Sequence, residues 1–174
     1  LTFYSINFEN AGIMESDIHD IKPEDAAGWT NYPKGVMWAF AERGMKMDCG
    51  IDLLLNGTIP NGSGLSSSAS LEVLTGFILR DMFGFEVSNQ DLALIGQFSE
   101  NKYNGVNCGI MDQFASVHGK AGHLMRLDCR SMEFEYFPFD PEQHGYKLVL
   151  LNSCVKHELV GTPYNDRRKS CEHV

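Results

Sequence analysis

Three consecutive serines, Ser66, Ser67 and Ser68, follow two glycines, Gly62 and Gly64, in "PNGSGLSSSAS" at residues 60–70. The unsatisfied N–H groups of a helix start sit at the positive end of the helix dipole, so a glycine- and serine-rich turn there can surround a phosphate. One of the hydroxyls could also turn a lone pair to Mg²⁺. The plainer reading is a flexible turn whose serines cap a helix. Two other chemistries are excluded. The P-loop pattern GxxxxGK[ST] needs a lysine that is absent, and a nucleophile elbow read from Gly64 needs glycine where Ser68 stands. A second constellation is "SENKYNGVNCGIMDQFASVHG". Glu100 and Asp112 lie on either side of a turn containing Gly105 and Gly109, so two carboxylates could reach one cleft, one to hold a metal and the other to accept a proton. Solvated or helix-capping acids are the alternative, and for an arbitrary Asp or Glu the commoner one. Asp112 nevertheless stands between Met111 and Phe114, where a surface acid gains nothing.

The elements that must position these groups follow from periodicity. "LTFYSINF" alternates like a strand, and "WTNYPKGVMWAFAERG" sets Val36, Met37 and Phe40 at helical spacing before a stop at Gly44. "IDLLLNGTIP" reads as a buried strand closing on Asn56-Gly57. The serine loop comes next, and after it "SLEVLTGFILRDMFG" places Leu71, Leu74, Phe77, Ile78 and Met82 on one helix face, ended by Gly84. A further helix starts at Ser88, with Asp91 completing an approximate capping box and Leu92, Ile95 and Phe98 pointing inward. "HLMRLDC" and "MEFEYFPF" flank Arg130-Ser131 as a hairpin, "YKLVLLN" resembles another buried strand, and "YNDRRKSCEHV" a polar helical end. Strands and helices alternate without repeats or low-complexity stretches, so the class is mixed α/β or α+β.

Composition narrows the partners. A chain of 174 residues with 43% hydrophobic content supports a real core, and a net charge of −9 argues against nucleic acid, which needs a basic face. Small molecules are the expected ligands. The five cysteines are odd in number and dispersed without a C-x-x-C pair, so neither a disulfide framework nor a zinc site is suggested and a reducing cytoplasm is expected. No window approaches the roughly 18 apolar residues of a membrane span. The start, without Met or a basic leader, reads as a cut into a longer protein. His157 and His173, near Cys154 and Cys171, fit no standard metal spacing; Arg167 and Arg168 read as a solvated helix face, and Trp29 and Trp38 as core.

Taken together, "PNGSGLSSSASLEVLTG", "GVNCGIMDQFAS", "LDCRSMEFEYFPF" and "VKHELVGTPYNDRRKSCE", in that order, resemble the GHMP small-molecule kinases and, within them, the galactokinase branch. The resemblance runs over essentially the whole chain. It implies an α+β, two-domain GHMP kinase fold, with residues 1–145 as most of the N-terminal domain, its first strands missing, and residues 146–174 as the start of the C-terminal domain. The activity implied is ATP-dependent phosphorylation of galactose at the C1 hydroxyl, with ATP and Mg²⁺ as cofactors. Pro60, Gly62, Gly64, Leu65, Ser66, Ser67, Ser68 and Ala69 match the nucleotide loop; Ser68 and Glu100 match the Mg²⁺ ligands. Asp112 matches the catalytic aspartate that orients the sugar hydroxyl and accepts its proton. Gly109 and Tyr164 match galactose contacts, one through the backbone and one through a phenol. The family's first signature, of Arg-x-Asn-Leu-x-Gly-Glu-His-x-Asp-Tyr character, and its third have no counterpart here, so most sugar-gripping residues fall outside the chain and the chain alone is expected to be inactive. Other sugars such as N-acetylgalactosamine, and a sensor without turnover, are the alternatives; the uninterrupted "GLSSSAS" favours an enzyme. The expected partners are galactose and ATP, with no nucleic acid or membrane, and the expected state is a cytoplasmic monomer.

Overall fold

Alternating residues of β1 (Thr2–Ser5) bury Phe3 and Ser5, and this strand is the middle of a three-stranded sheet. The computed structural model describes residues 1–60, 62–151 and 164–173. β2 (Met14–Glu15) pairs antiparallel with one side of β1, and β3 (Asp52–Leu55) pairs parallel with the other, Thr2 opposite Asp52 and Ser5 opposite Leu55. Parallel pairing requires a long crossover, and α1 (Asn31–Glu42) supplies it. The strand expected over "LTFYSINF" stops at Ser5, whose hydroxyl accepts the Asn7 N–H at 3.2 Å and starts the 3-10 turn Ile6–Ala11.

β3 is not the buried strand its apolar run suggests. Side chains of a strand alternate between faces; Leu53 and Leu55 turn partly inward, while Asp52 is exposed and Leu54 is 70% exposed on an edge of the sheet.

Four helices build most of the core. α1 buries Val36, Met37 and Phe40 as its spacing predicts; α2 (Ser67–Phe83) and α3 (Asn89–Lys102) pack on it and on each other, and α4 (Met111–His118) packs on α2 and α3. Phe3, Val36, Met37, Phe40, Leu79, Leu92 and Ile95 form the main core. Ser88 caps α3, its hydroxyl accepting the Asp91 N–H at 3.1 Å and donating to the Asp91 carboxylate at 2.6 Å. Gly84 ends α2 in the left-handed region, at φ 66°. The inward face of α2, however, differs from the one expected. Ala69, Glu72, Val73, Thr75, Gly76 and Leu79 are buried, while Leu74 and Met82 are exposed and Leu71, Phe77 and Ile78 lie half-buried. α2 lies between α1, α3 and α4, so small and polar residues fill the close approaches and the larger side chains are turned to the rim.

β4 (His123–Leu127) and β5 (Phe134–Pro138) form the expected hairpin, which packs Met125, Leu127 and Phe134 onto Ala93, Ile110 and Phe114 of the α3–α4 corner. The strand expected over "YKLVLLN" is absent from its described part: residues 146–151 pair with nothing as a strand, and Leu148, Val149, Leu150 and Leu151 are exposed. A hydrophobic run becomes a strand only when it pairs with a partner edge, and residues 146–151 are not in either described sheet. α5 (Tyr164–Glu172) closes the described chain as the polar helix expected. Among the described residues no helix is long and apolar enough to cross a membrane.

Candidate functional site

The serine loop joins β3 to α2, and its backbone decides between phosphate cradle and simple cap. Gly62 and Gly64 adopt φ of 66° and 73° and Ser66 of 59°, while Ser63 and Leu65 between them do not take positive φ. Such alternation of hand turns successive N–H groups toward one side and makes an anion-binding concavity. A serine in the left-handed region costs about 1 kcal/mol, and Ser66 takes this conformation without any side-chain capping bond to α2. The capping reading therefore fails for Ser66: its carbonyl accepts the Ser70 N–H at 3.0 Å, but its hydroxyl leaves the N–H groups of the first turn free to face a ligand. Ser63 pins the turn by donating to the Pro60 carbonyl at 2.7 Å. Gly64 and Leu65 are exposed, Ser67 and Ser68 half-buried, and Ala69 anchors the turn in the interior.

Ser68, Glu100, Gly109 and Asp112 line one cleft of about 150 Å³, together with Cys108 and Gln113. They come from three helices: Ser68 from the first turn of α2, Glu100 from the last turns of α3, and Asp112 from the first turn of α4. Glu100 is 2% exposed, and its buried carboxylate oxygens have no partner besides the neighbouring carboxyl of Glu72. A buried carboxylate in that state is costly, and a cation relieves it. Among the described residues no three His, Cys, Asp or Glu side chains converge as a metal cage. That pattern suits Mg²⁺, which is usually held by one or two protein oxygens plus substrate phosphates, so Ser68 and Glu100 fit it. Asp112 is exposed at the cleft wall, free to meet a solute. A Cβ on Gly109 would meet nothing within 4 Å and its φ is not left-handed, so the fold itself does not demand glycine there; its absence of side chain keeps the wall open.

The electrostatics of the cleft argue against Cys108 as a nucleophile. Burial, with Glu100 and Glu72 adding to it, pushes the Cys108 thiol up to about 12, so it stays protonated and inert as a nucleophile. Burial first, then the same two glutamates, also pushes the Tyr32 phenol up to about 12. Glu72 is a residue that sequence reasoning missed. It is 1% exposed, accepts a hydrogen bond from Gln113 Nε2 at 3.1 Å, and lies beside Glu100; burial and that neighbour raise its pKa well above the usual carboxylate range. Its place one helical turn after Ser68 was the available clue.

A second cavity, about 240 Å³, opens on the other side of the loop's helix and is lined by Phe8, Trp29, Leu55, Ser67, Ser70 and Leu71 among others. Trp29 does not act only as core: it packs edge-on to Phe3 and stacks on Phe8 at 6.2 Å, and its buried Nε1 donor has no partner. A cavity of mixed lining, with the Trp29 and Phe8 rings among polar side chains and next to the serine loop, has the makings of a nucleobase pocket.

Tyr164 begins α5, but its side chain lies outside the described residues, as do residues 161–163, Cys154 and His157. Arg168, expected only to be solvated, is exposed yet donates from Nη1 to the Asn107 carbonyl at 2.8 Å, which brings α5 to the loop that carries Gly109.

A cradle at a helix start beside a cleft with two acids and one hydroxyl has the groups that phosphoryl transfer needs, donors for phosphates and a carboxylate near them. Residues 31–120 match the family model described as "GHMP kinases N terminal domain", and the chain belongs to that family. More narrowly, it is 46% identical over 170 residues to a galactokinase of Exiguobacterium sibiricum, covering 98% of this chain and 43% of that protein. It is 44% identical over 172 residues to a galactokinase of Ligilactobacillus salivarius, covering 99% and 44%. The crystal structure of Lactococcus lactis galactokinase complexed with galactose superposes with a TM-score of 0.86 at 35% identity, over 98% of this chain and 44% of that one. The α+β GHMP kinase fold is thereby established, and the chain spans less than half the length of the relatives it matches.

Proposed function

We propose that the full-length protein is a galactokinase, transferring the γ-phosphoryl group of ATP to the C1 hydroxyl of galactose. The observation that carries this reading is the single cleft into which three helices bring Ser68, Glu100 and Asp112, with Gly109 on the loop before α4. Residues 1–145 form the N-terminal domain and residues 146–174 begin the second. Pro60, Gly62, Gly64, Leu65 and Ser66 to Ala69 hold the phosphates, and the Trp29 cavity takes the adenine. Asp112 orients the sugar hydroxyl and accepts its proton as the oxygen forms its bond to the γ-phosphorus; the bond from that phosphorus to the bridging oxygen breaks, and ADP departs with the electron pair. Phosphoryl transfer has a loose transition state, so positioning and aimed donors supply most of the acceleration. Mg²⁺ held by Ser68 and Glu100 would neutralise charge on the phosphates. Gly109 and Tyr164 contact the sugar, and the protein works as a cytoplasmic monomer.

The test is product analysis of the purified full-length protein with ATP, Mg²⁺ and either galactose or N-acetylgalactosamine. Galactose 1-phosphate as the main product is expected. A preference for N-acetylgalactosamine, or binding of galactose and ATP without turnover, would overturn the reading.

A further inference from the structure

Asp112 and Gln113 are adjacent on α4 but point apart: Asp112 is exposed at the cleft, and Gln113 is 2% exposed inside the helix bundle. Successive helical side chains diverge by about 100°, so whatever grips Gln113 also sets the direction of Asp112. What grips it is Glu72 of α2, through the 3.1 Å bond from Gln113 Nε2 to the carboxylate. The third helix is close at the same point. A Cβ on Gly96 of α3 would stand 3.0 Å from Gln113 Cγ and 3.6 Å from Glu72 Cβ, so glycine there lets the three helices meet. Gln113 Nε2 also lies 3.9 Å from Cys108 Sγ, and Gln97 donates to the Cys108 carbonyl at 3.3 Å, which extends the tie to the loop before Gly109. A polar pair at the centre of a bundle is a weak source of stability, since apolar residues of equal volume pack there as well or better. Its value is directional.

We infer that Glu72 and Gln113 form a positioning bridge that holds the first turn of α4, and with it Asp112, at a set distance from the first turn of α2, where the phosphate loop ends. Glu72 lies behind the cleft and Gln113, though it borders the cleft, is 2% exposed with its amide turned to Glu72, so the pair acts through α4. The bridge fixes where the proton acceptor stands relative to the phosphoryl donor, and it rests on the reading of Asp112 given above.

The experiment uses the full-length protein with Glu72→Met and Gln113→Met, their double variant, and Glu72→Gln, which retains an acceptor for Gln113. Misplacing a reacting group by about 1 Å costs on the order of 10²-fold in rate. Each single Met variant should lose roughly that in kcat, with KM for ATP and galactose changed by less than about threefold. The double variant should lose no more than either single one, because both remove the same bond. Glu72→Gln should recover most of the loss. Amide exchange in the first turn of α4 should quicken in the Met variants and not in Glu72→Gln. Wild-type kcat in the Met variants, additive losses, or a Glu72→Gln variant as slow as Glu72→Met would overturn the bridge. If a single Met variant fails to fold, the double variant, which removes both partners of the bond, gives the kcat comparison. If the wild-type protein makes no galactose 1-phosphate, the functional reading falls by itself. Exchange in α4 still tests the bridge, and unchanged exchange in the Met variants overturns it.

Discussion

Replacing Asp112 by Asn separates a proton acceptor from a helix-end acid, because the two roles differ in size by several kcal/mol. Asp112 is exposed, lies in the first turn of α4, and is not its N-cap, which is Ile110. Its structural contribution is then limited to the helix dipole, about 0.3–1 kcal/mol for an exposed acid. In a chain of this size that is a melting-temperature change of no more than about 2–4 °C. General base catalysis contributes roughly 10²–10⁴-fold, equivalent to about 3–5 kcal/mol of barrier. Asp112→Asn keeps the shape and a hydrogen-bonding carbonyl but removes the acceptor. The expected outcome in the full-length protein is a fall in kcat of that 10²–10⁴ size, retained binding of galactose and ATP, and a melting temperature near wild type. The assay is kcat per folded molecule from coupled ADP release, with calorimetric binding and thermal unfolding as controls. A variant that turns over at close to the wild-type rate while losing stability would refute the reasoning, since the carboxylate would then be structural.

Three further outcomes are expected. Glu100→Gln leaves an uncharged amide in place of the two buried carboxylate oxygens, so the Mg²⁺ requirement for turnover should rise while galactose affinity is unchanged; an unaltered Mg²⁺ titration would make Glu100 structural. Gly64→Val places a β-branched residue at φ +73° and should abolish ATP binding in calorimetry, whereas wild-type affinity would remove the loop from the phosphate site. Burial between Phe114 and Phe134 lowers the pKa of His118, so the unfolded chain binds more protons just below the ordinary histidine value. Stability should therefore decline as pH falls through the ordinary histidine pKa toward the lowered folded one, and His118→Gln should flatten that part of the melting-temperature profile; an equal slope in the variant would assign it to other groups.

Much of the site was legible because it is local. The Gly62–Gly64–Ser66 rhythm sets backbone hand over a few residues, Ser88 and Asp91 cap a helix within one turn, and the Arg130-Ser131 turn closes its own hairpin, so residue type and spacing carry the information. The acids Glu100 and Asp112 could be picked out for the same reason, as they flank one glycine-containing turn. Burial could not be read this way. Leu54 and Leu71 to Met82 look alike as apolar patterns, but which of them is covered depends on an edge strand left open and on three helices that crowd one face of α2. Glu72 reads as a surface acid in a helix until α3 and α4 close over it, and Gln113 has no reason to pair with a residue 41 positions away before the bundle forms. Trp29 likewise becomes a cavity wall only when β1, β3 and α2 surround it. The loop and the helix ends follow from residue order, because they depend on near neighbours. The tertiary structure alone decided which acids are desolvated and which face the cleft, because desolvation is the work of residues distant in the chain.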